Sequence, residues 1–326
     1  MKRLAALAAL ASCAPAMPDV HVAAQAGIAS QNLLPRRTAV QLSSELSIGG
    51  LLTRGEPRAN GENVLAGLDL NYVGKPNPAG KRWELHAWLT GTDSDLAGGK
   101  AAAGAVQIIY PNEPFYLYLY TGHYGKRYDP ALGFAPRVGI REYIVSPEFV
   151  WRDLAPWLRK VAVNPAVYFT TDLQGRVESE NHSVPYMTLE NPAGDKVTII
   201  GNAIRDRFAT PFSIRPGNVI RAGDYRWGRG KIVFATAPRR PLSAEVFVAT
   251  GGFYDGNRTD VKSGLAWRPS RHVELSGAYE RRDVNLPSGD FVVHLASLKL
   301  AYTFTPDLRI NLVTQYDNVS ATLGAN

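Results

Sequence analysis

Cysteine is nearly absent from this sequence, whose single residue of that type is Cys13. One cysteine cannot form an intramolecular disulfide, and it cannot supply the several thiolates of a structural zinc site. Long apolar runs are missing too, because no segment approaches the ~20 apolar residues of a membrane-spanning helix. The hydrophobic fraction of 45% is ordinary for a globular chain. These absences exclude a disulfide-stapled scaffold and a bundle of membrane helices.

Motifs of known catalytic chemistry are also missing. The six histidines form no H-E-x-x-H pair, and there is no G-x-S-x-G elbow. The run from Gly228 to Lys231 lacks the spacing of a phosphate-binding loop and is predicted to be a hairpin turn. The close carboxylates Asp93 and Asp95, like Glu178 and Glu180, are predicted to be solvated charges in polar loops rather than a glycosidase pair. We therefore expect no enzyme, with no catalytic, cofactor-binding or metal-binding residues and no cofactor.

The net charge of +7 is spread along the chain. Arginines and lysines occur in turns and at strand ends, as in Pro238–Pro241 and Glu280–Asp283, and they form no basic stripe. Nucleic-acid-binding proteins usually show such a stripe or a known motif, so we expect no nucleic-acid partner. A solvated basic surface or contact with anionic lipid accounts for the charge equally well.

The first residues resemble an export signal. Met1-Lys2-Arg3 is basic, Leu4 to Ala11 is apolar, and two sites of small residues suited to cleavage follow, Ala14-Pro15-Ala16 and Ala24-Gln25-Ala26. Leu10-Ala11-Ser12-Cys13 also resembles the lipobox of bacterial lipoproteins, so lipid attachment to Cys13 is an open alternative. We predict that residues 1–37 are a signal peptide and tail.

From about Thr38 the hydrophobic pattern has a period of two, which is typical of β-strands. Apolar side chains alternate with polar or mixed ones in six clear runs: 63–73, 82–90, 115–120, 272–279, 297–304 and 310–317. Turn residues separate the runs, for example at Gly74–Pro78 and Leu286–Gly289. The pattern predicts roughly twelve to fourteen strands in a meander of hairpins. Trp151–Lys160 is predicted to be a loop or short turn.

Strand length and aromatic residues favour a membrane. Several runs approach the ~9–11 residues of a tilted membrane strand, against ~5–6 in soluble domains, and aromatics recur near their ends. A soluble β-sandwich, lipocalin-like barrel or β-solenoid is the alternative. In a membrane barrel the polar strand faces would line a water-filled lumen. The candidates for that lining are Asp69, Asn71, Glu84, His86, Glu274, Lys299, Asn311 and Gln315.

The segment Tyr128–Arg141 (YDPALGFAPRVGIR) resembles the F-N-P-E-x-G-F-x-P-R-x-x-I-R stretch of a family of bacterial surface proteins. Members of that family carry an N-terminal carbohydrate-binding-like module and a C-terminal membrane-associated β-barrel. Ile220–Tyr225, Gly251–Gly256 and Leu312–Ser320 are similar to that barrel in the same order, as is Gly49–Tyr72. The resemblance covers the barrel part only, and it implies further strands beyond the end of this sequence.

Together these features predict an all-β chain in which residues 38–326 form an antiparallel up-and-down β-barrel of the outer-membrane type, incomplete at its C-terminus. The expected role is a pore or surface scaffold of the bacterial outer membrane, with membrane lipid as its partner. The alternative is a carbohydrate-binding or carbohydrate-hydrolase-associated surface protein, in which Tyr116, Tyr118 and Tyr120 would form an aromatic platform.

Overall fold

A computed structural model describes residues 36–58, 60–135, 137–305, 308–319 and 322–325. The predicted signal peptide, both of its cleavage sites and Cys13 lie outside these ranges.

The chain is all-β, and no helix occurs in the part that the structure describes. Every strand pairing with a determined register is antiparallel, and most join strands that follow one another along the chain. This confirms the predicted all-β, antiparallel up-and-down sheet. The strands are β1 (Arg36–Gln41), β2 (Leu46–Arg54), β3 (Asn63–Val73), β4 (Glu84–Ser94), β5 (Gly99–Tyr110), β6 (Phe115–Tyr124), β7 (Ile140–Ala155), β8 (Leu158–Val163), β9 (Ala166–Asp172), β10 (Val177–Glu190), β11 (Lys196–Phe208), β12 (Phe212–Arg215), β13 (Asn218–Ile220), β14 (Gly223–Ala235), β15 (Leu242–Phe253), β16 (Gly256–Trp267), β17 (Val273–Asn285), β18 (Phe291–Thr305), β19 (Leu308–Asp317) and β20 (Thr322–Ala325).

Two compact units divide the described chain. Unit 1 comprises residues 36–147 and 167–180. In it β1 to β6 pair in sequence order, and the first half of β7 pairs with β9. The hairpins close at polar or glycine-containing turns, such as 95–98, where Gly98 takes a positive φ of 75°. Glycine suits that left-handed conformation because it has no Cβ.

Unit 2 comprises residues 148–166 and 181–325. The second half of β7 pairs with β8, β8 pairs with β10, and β11 is followed in the sheet by β14 to β20 in sequence order. The short strands β12 and β13 form a separate hairpin between β11 and β14. Its Ile214 and Ile220 are buried, and its Arg215 lies over the Phe291 ring at 4.9 Å from the ring centroid.

The sequence analysis missed several strands. The described residues form eighteen strands besides the β12–β13 hairpin, so the predicted count of twelve to fourteen was too low. The prediction that Trp151–Lys160 is a loop or turn was wrong, because β7 runs to Ala155 and β8 starts at Leu158. Asp93 lies in β4, and Glu178 and Glu180 lie in β10, rather than in loops. In this stretch aromatic and charged residues occupy both faces, which hides the period of two.

Gly228–Lys231 was also assigned wrongly. These residues lie in the middle of β14 and pair with β11 and β15 on either side. Glycines alternate here with cations, so two small residues fall on one face of the strand and two charges on the other. Since glycine usually marks a turn, that alternation was mistaken for a hairpin.

Candidate functional site

One face of the unit 2 sheet carries large apolar side chains that are exposed. Leu298 in β18 is 54% exposed, and Leu300 lies opposite Leu312 of β19 in the register. Because directly opposed residues of an antiparallel pair share a face, the register places the whole set on one side. We call this side the apolar face of unit 2: Ile199, Ile232, Phe234, Leu242, Val246, Leu265, Trp267, Tyr279, Leu298, Leu300, Tyr302, Ile310, Leu312 and Tyr316.

Unit 1 has a corresponding apolar face. Leu68 at the middle of β3 is 66% exposed, and its register partner Leu89 is 63% exposed. The exposed members of this apolar face are Ile48, Leu52, Leu68, Tyr72, Leu89, Val106 and Ile108. Water-soluble proteins rarely expose apolar surface in continuous patches of this kind.

The opposite face of the unit 2 sheet, its polar face, buries charge. Asp260 accepts hydrogen bonds from two arginines: Arg229 Nη2 lies 3.0 Å from Asp260 Oδ2, and Arg258 Nε lies 2.7 Å from Asp260 Oδ1. The exposed fractions of the three side chains are only 3%, 5% and 5% for Arg229, Arg258 and Asp260. Their low exposure weakens screening by water, so the carboxylate is needed to compensate the two guanidinium groups.

The ionic network continues across β16 and β17. Lys262 Nζ lies 3.3 Å from Glu280 Oε1, and Arg282 forms an ion pair with the same carboxylate. Cations and carboxylates thus meet across neighbouring strands on one face. Arg229 keeps one buried donor, Nε, without a hydrogen-bond partner among the described residues. The polar face is therefore densely charged, although the network is largely internally paired.

In unit 1 the corresponding polar face is aromatic. Tyr120 Oη lies 3.0 Å from Tyr124 Oη, and the Tyr124 ring meets Trp88 edge-on at a centroid distance of 6.1 Å. The residues around the rings are small, which leaves room for them. Ala103 is fully buried, and at Gly122 any larger residue would clash, because an added Cβ would lie 2.5 Å from the Tyr120 hydroxyl. Tyr118 lies on the same face, opposite Ile109.

The segment between β6 and β7 is tied to unit 1 through Asp129. The Asp129 carboxylate accepts hydrogen bonds from Arg58 at 2.6 Å and from Ser94 at 2.8 Å. The Asn63 side chain donates to the Asp129 carbonyl at 3.0 Å, and Tyr128 Oη lies 2.9 Å from Thr90 Oγ1. The Arg58 guanidinium and the Ser94 hydroxyl stabilise the ionised carboxylate and so lower the pKa of Asp129 below its usual value. These contacts fix Tyr128 and Asp129, the start of the segment that carries the family resemblance.

The residues predicted to line a lumen all lie on the polar faces. In unit 1, His86 faces Asn71 across the β3–β4 pair, with 2.8 Å between His86 Nδ1 and Asn71 Oδ1, and Asn71 also donates to Asp69. Glu84 shares that face because it lies two residues before His86 on the same strand. In unit 2 the register places the remaining four together: Glu274, Lys299, Asn311 and Gln315.

Sequence reasoning missed Arg229, Arg258, Asp260 and the Asp129 contacts. Arg258 and Asp260 lie two residues apart on β16, and Arg229 of β14 joins them only through the strand register. The alternation of glycine and cations over Gly228–Lys231 is the sequence pattern that could have placed Arg229 on the polar face of a strand.

In the described ranges no group of three or more His, Cys, Asp or Glu side chains is arranged to hold a metal ion. Nor does the part of the chain covered by the structure contain a helix long and apolar enough to cross a membrane. No family model matches this chain, and no curated protein matches it.

Proposed function

We propose that this chain forms an outer-membrane β-barrel that acts as a pore or surface scaffold. The apolar faces contact lipid, and the polar faces point into the lumen, where side chains such as Glu274 and Lys299 contact water. One observation carries the proposal: large apolar side chains such as Leu298 are exposed, whereas the charged trio of Arg229, Arg258 and Asp260 is buried. A protein dissolved in water distributes these residue types the other way round.

Strand length supports the same proposal. β3 and β4 have 11 residues each, and β16 has 12. A tilted strand needs ~9–11 residues to cross the hydrocarbon core of a bilayer. Trp267, Tyr302 and Tyr316 lie toward strand ends on the apolar face, as aromatic side chains do at a membrane–water interface. The resemblance to the membrane-associated barrel of the bacterial surface-protein family points in the same direction.

The proposal is tested by expressing the chain in a Gram-negative host and isolating the outer-membrane fraction. A folded barrel resists detergent, so the unboiled protein should migrate differently on a denaturing gel from the boiled protein. Recovery as a soluble monomer with no shift would refute it. Single-channel recording in planar bilayers then separates the two roles, since discrete conductance steps indicate a pore and their absence a scaffold.

The second candidate is carbohydrate binding on the polar face of unit 1. The supporting observation is the aromatic group of Trp88, Tyr120 and Tyr124, because aromatic rings can stack on the apolar faces of sugars. Retention on immobilised polysaccharide, lost when Tyr120 is replaced by Ala, would support this role. Equal recovery of both proteins from the polysaccharide would count against it.

A further inference from the structure

A groove of about 650 Å³ opens on the apolar face of unit 1. Its floor consists of small residues of β4 and β5, Ala87, Ala102 and Gly104, while larger side chains, Leu89 and Val106, rise beside it. The register places Leu89 directly opposite Gly104, and Ala87 opposite Val106. The groove is therefore a strip of small residues on the sheet, and the larger side chains of Leu89 and Val106 protrude on either side of it.

The groove ends at polar groups. His123 and Arg141 both line it, and Tyr143 forms part of the wall beside Arg141. The Tyr143 ring is stacked on Phe169, with 4.6 Å between the ring centroids. His123 is the last residue but one of β6, and Arg141 is the second of β7, so this polar end lies at strand termini.

Arg141 has neither a hydrogen bond nor an ion pair to any residue that the structure describes. Its register partner Thr171, on the same face of the sheet, is also unusual. The Thr171 hydroxyl is buried and has no hydrogen-bond partner among the described residues. A guanidinium without a counter-ion and a hydroxyl without a partner thus lie side by side at the end of an apolar groove.

This combination matches an anionic lipid. An acyl chain suits the apolar strip over Ala102 and Gly104, while a phosphate headgroup suits the strand ends, where the hydrocarbon region gives way to water. Arginine binds phosphate well because its planar guanidinium can donate two parallel hydrogen bonds. A zwitterionic lipid is less suitable, because its own ammonium group already balances its phosphate.

We propose that this groove binds a membrane lipid with an anionic phosphate headgroup, whose phosphate pairs with Arg141 while one acyl chain lies along Ala87, Ala102 and Gly104. The proposal rests on the membrane-barrel function above. It names the lipid class that the barrel selects at one position on its outer face.

Native mass spectrometry of the detergent-solubilised, delipidated protein tests the proposal. Phosphatidylglycerol and phosphatidylcholine with identical acyl chains are titrated separately, and each protein is first checked for the gel shift on boiling. A charge-assisted hydrogen bond should make phosphatidylglycerol bind about tenfold more tightly. We expect Arg141→Gln to abolish this preference and Ala102→Phe, which fills the groove, to weaken binding of both lipids.

Arg226→Gln is the matched control. Arg226 lies on the corresponding face of β14, opposite Arg205 in the register and 72% exposed, and it does not line the groove. It should keep the full preference for phosphatidylglycerol. Equal binding of the two lipids by heat-modifiable wild-type protein, or an unchanged preference in Arg141→Gln, would overturn the lipid site and leave the barrel standing. A wild-type protein without the gel shift would overturn the barrel itself.

Discussion

Replacing Leu68 by arginine tests which solvent the apolar faces contact. Leu68 is the sixth of the 11 residues of β3, and 66% of it is exposed. If this face contacts lipid, the new guanidinium lies near the bilayer midplane and lowers the free energy of unfolding by ~2–4 kcal/mol. If the face contacts water, an exposed substitution of this kind changes that free energy by less than about 0.5 kcal/mol. The expected loss of unfolding free energy is therefore several times larger if this face contacts lipid than if it contacts water.

Leu96→Arg is the matched control. Leu96 is 56% exposed but lies in the turn between β4 and β5, outside the proposed span. Both variants are refolded into phospholipid vesicles and unfolded with urea while tryptophan emission is followed. We expect Leu68→Arg to lose ~2–4 kcal/mol and Leu96→Arg less than ~1 kcal/mol. Equal losses in the two variants would refute the assignment of this face to lipid.

Three further predictions concern the ionic contacts. Asp260→Asn leaves two buried guanidinium groups uncompensated and should lower the free energy of unfolding by about 3 kcal/mol. Glu62→Gln removes an exposed ion pair with Arg54 at the turn between β2 and β3 and should lower it by less than ~1 kcal/mol. Urea unfolding compares the two variants, and similar losses would contradict the buried network. Asp129→Asn should speed proteolytic cleavage within residues 125–139, because Arg58 and Ser94 lose the carboxylate; cleavage at the wild-type rate, measured by limited proteolysis and mass spectrometry, would contradict this. In the β10–β11 turn, hydrogen bonding chiefly to Arg240 lowers the pKa of Asp195 from 3.8 to about 2. Since the pKa is lower in the folded state than in the unfolded state, the ionised carboxylate stabilises the fold above pH 3.8. This stabilisation is lost as the pH falls through about 2. Hydrogen exchange of the turn amides should then speed up across that range in wild type, relative to their intrinsic rates, but not in Asp195→Asn.

The clean strands were predictable because one simple pattern governs them. The run Asn63–Val73 coincides with β3, and the runs near residues 273 and 310 fall in β17 and β19. On such strands each side chain points to the opposite face from its neighbour, so apolar and polar residues sort by position along the chain alone. The same rule places Asn71 and His86 on one face, in agreement with their hydrogen bond.

Between β7 and β10 the alternation of apolar and polar residues was not enough to identify the strands. Aromatic and charged residues there occupy both faces, and the Asn164–Pro165 break separates β8 from β9. The prediction that Glu178 and Glu180 are solvated loop charges was wrong because nothing local distinguishes a charge on the polar face of a strand from one in a loop. Their strand partners are needed to decide between the two.

The sequence by itself determined the β class, the apolar and polar faces of the regular strands and several of the turns, because these depend on neighbours along the chain. Only the tertiary structure brought Arg229, Arg258 and Asp260 into one buried network and placed Arg141 at the end of a groove. These groupings depend on register, which relates residues far apart in the chain, and a shift of a single residue would move every side chain of a strand to the other face.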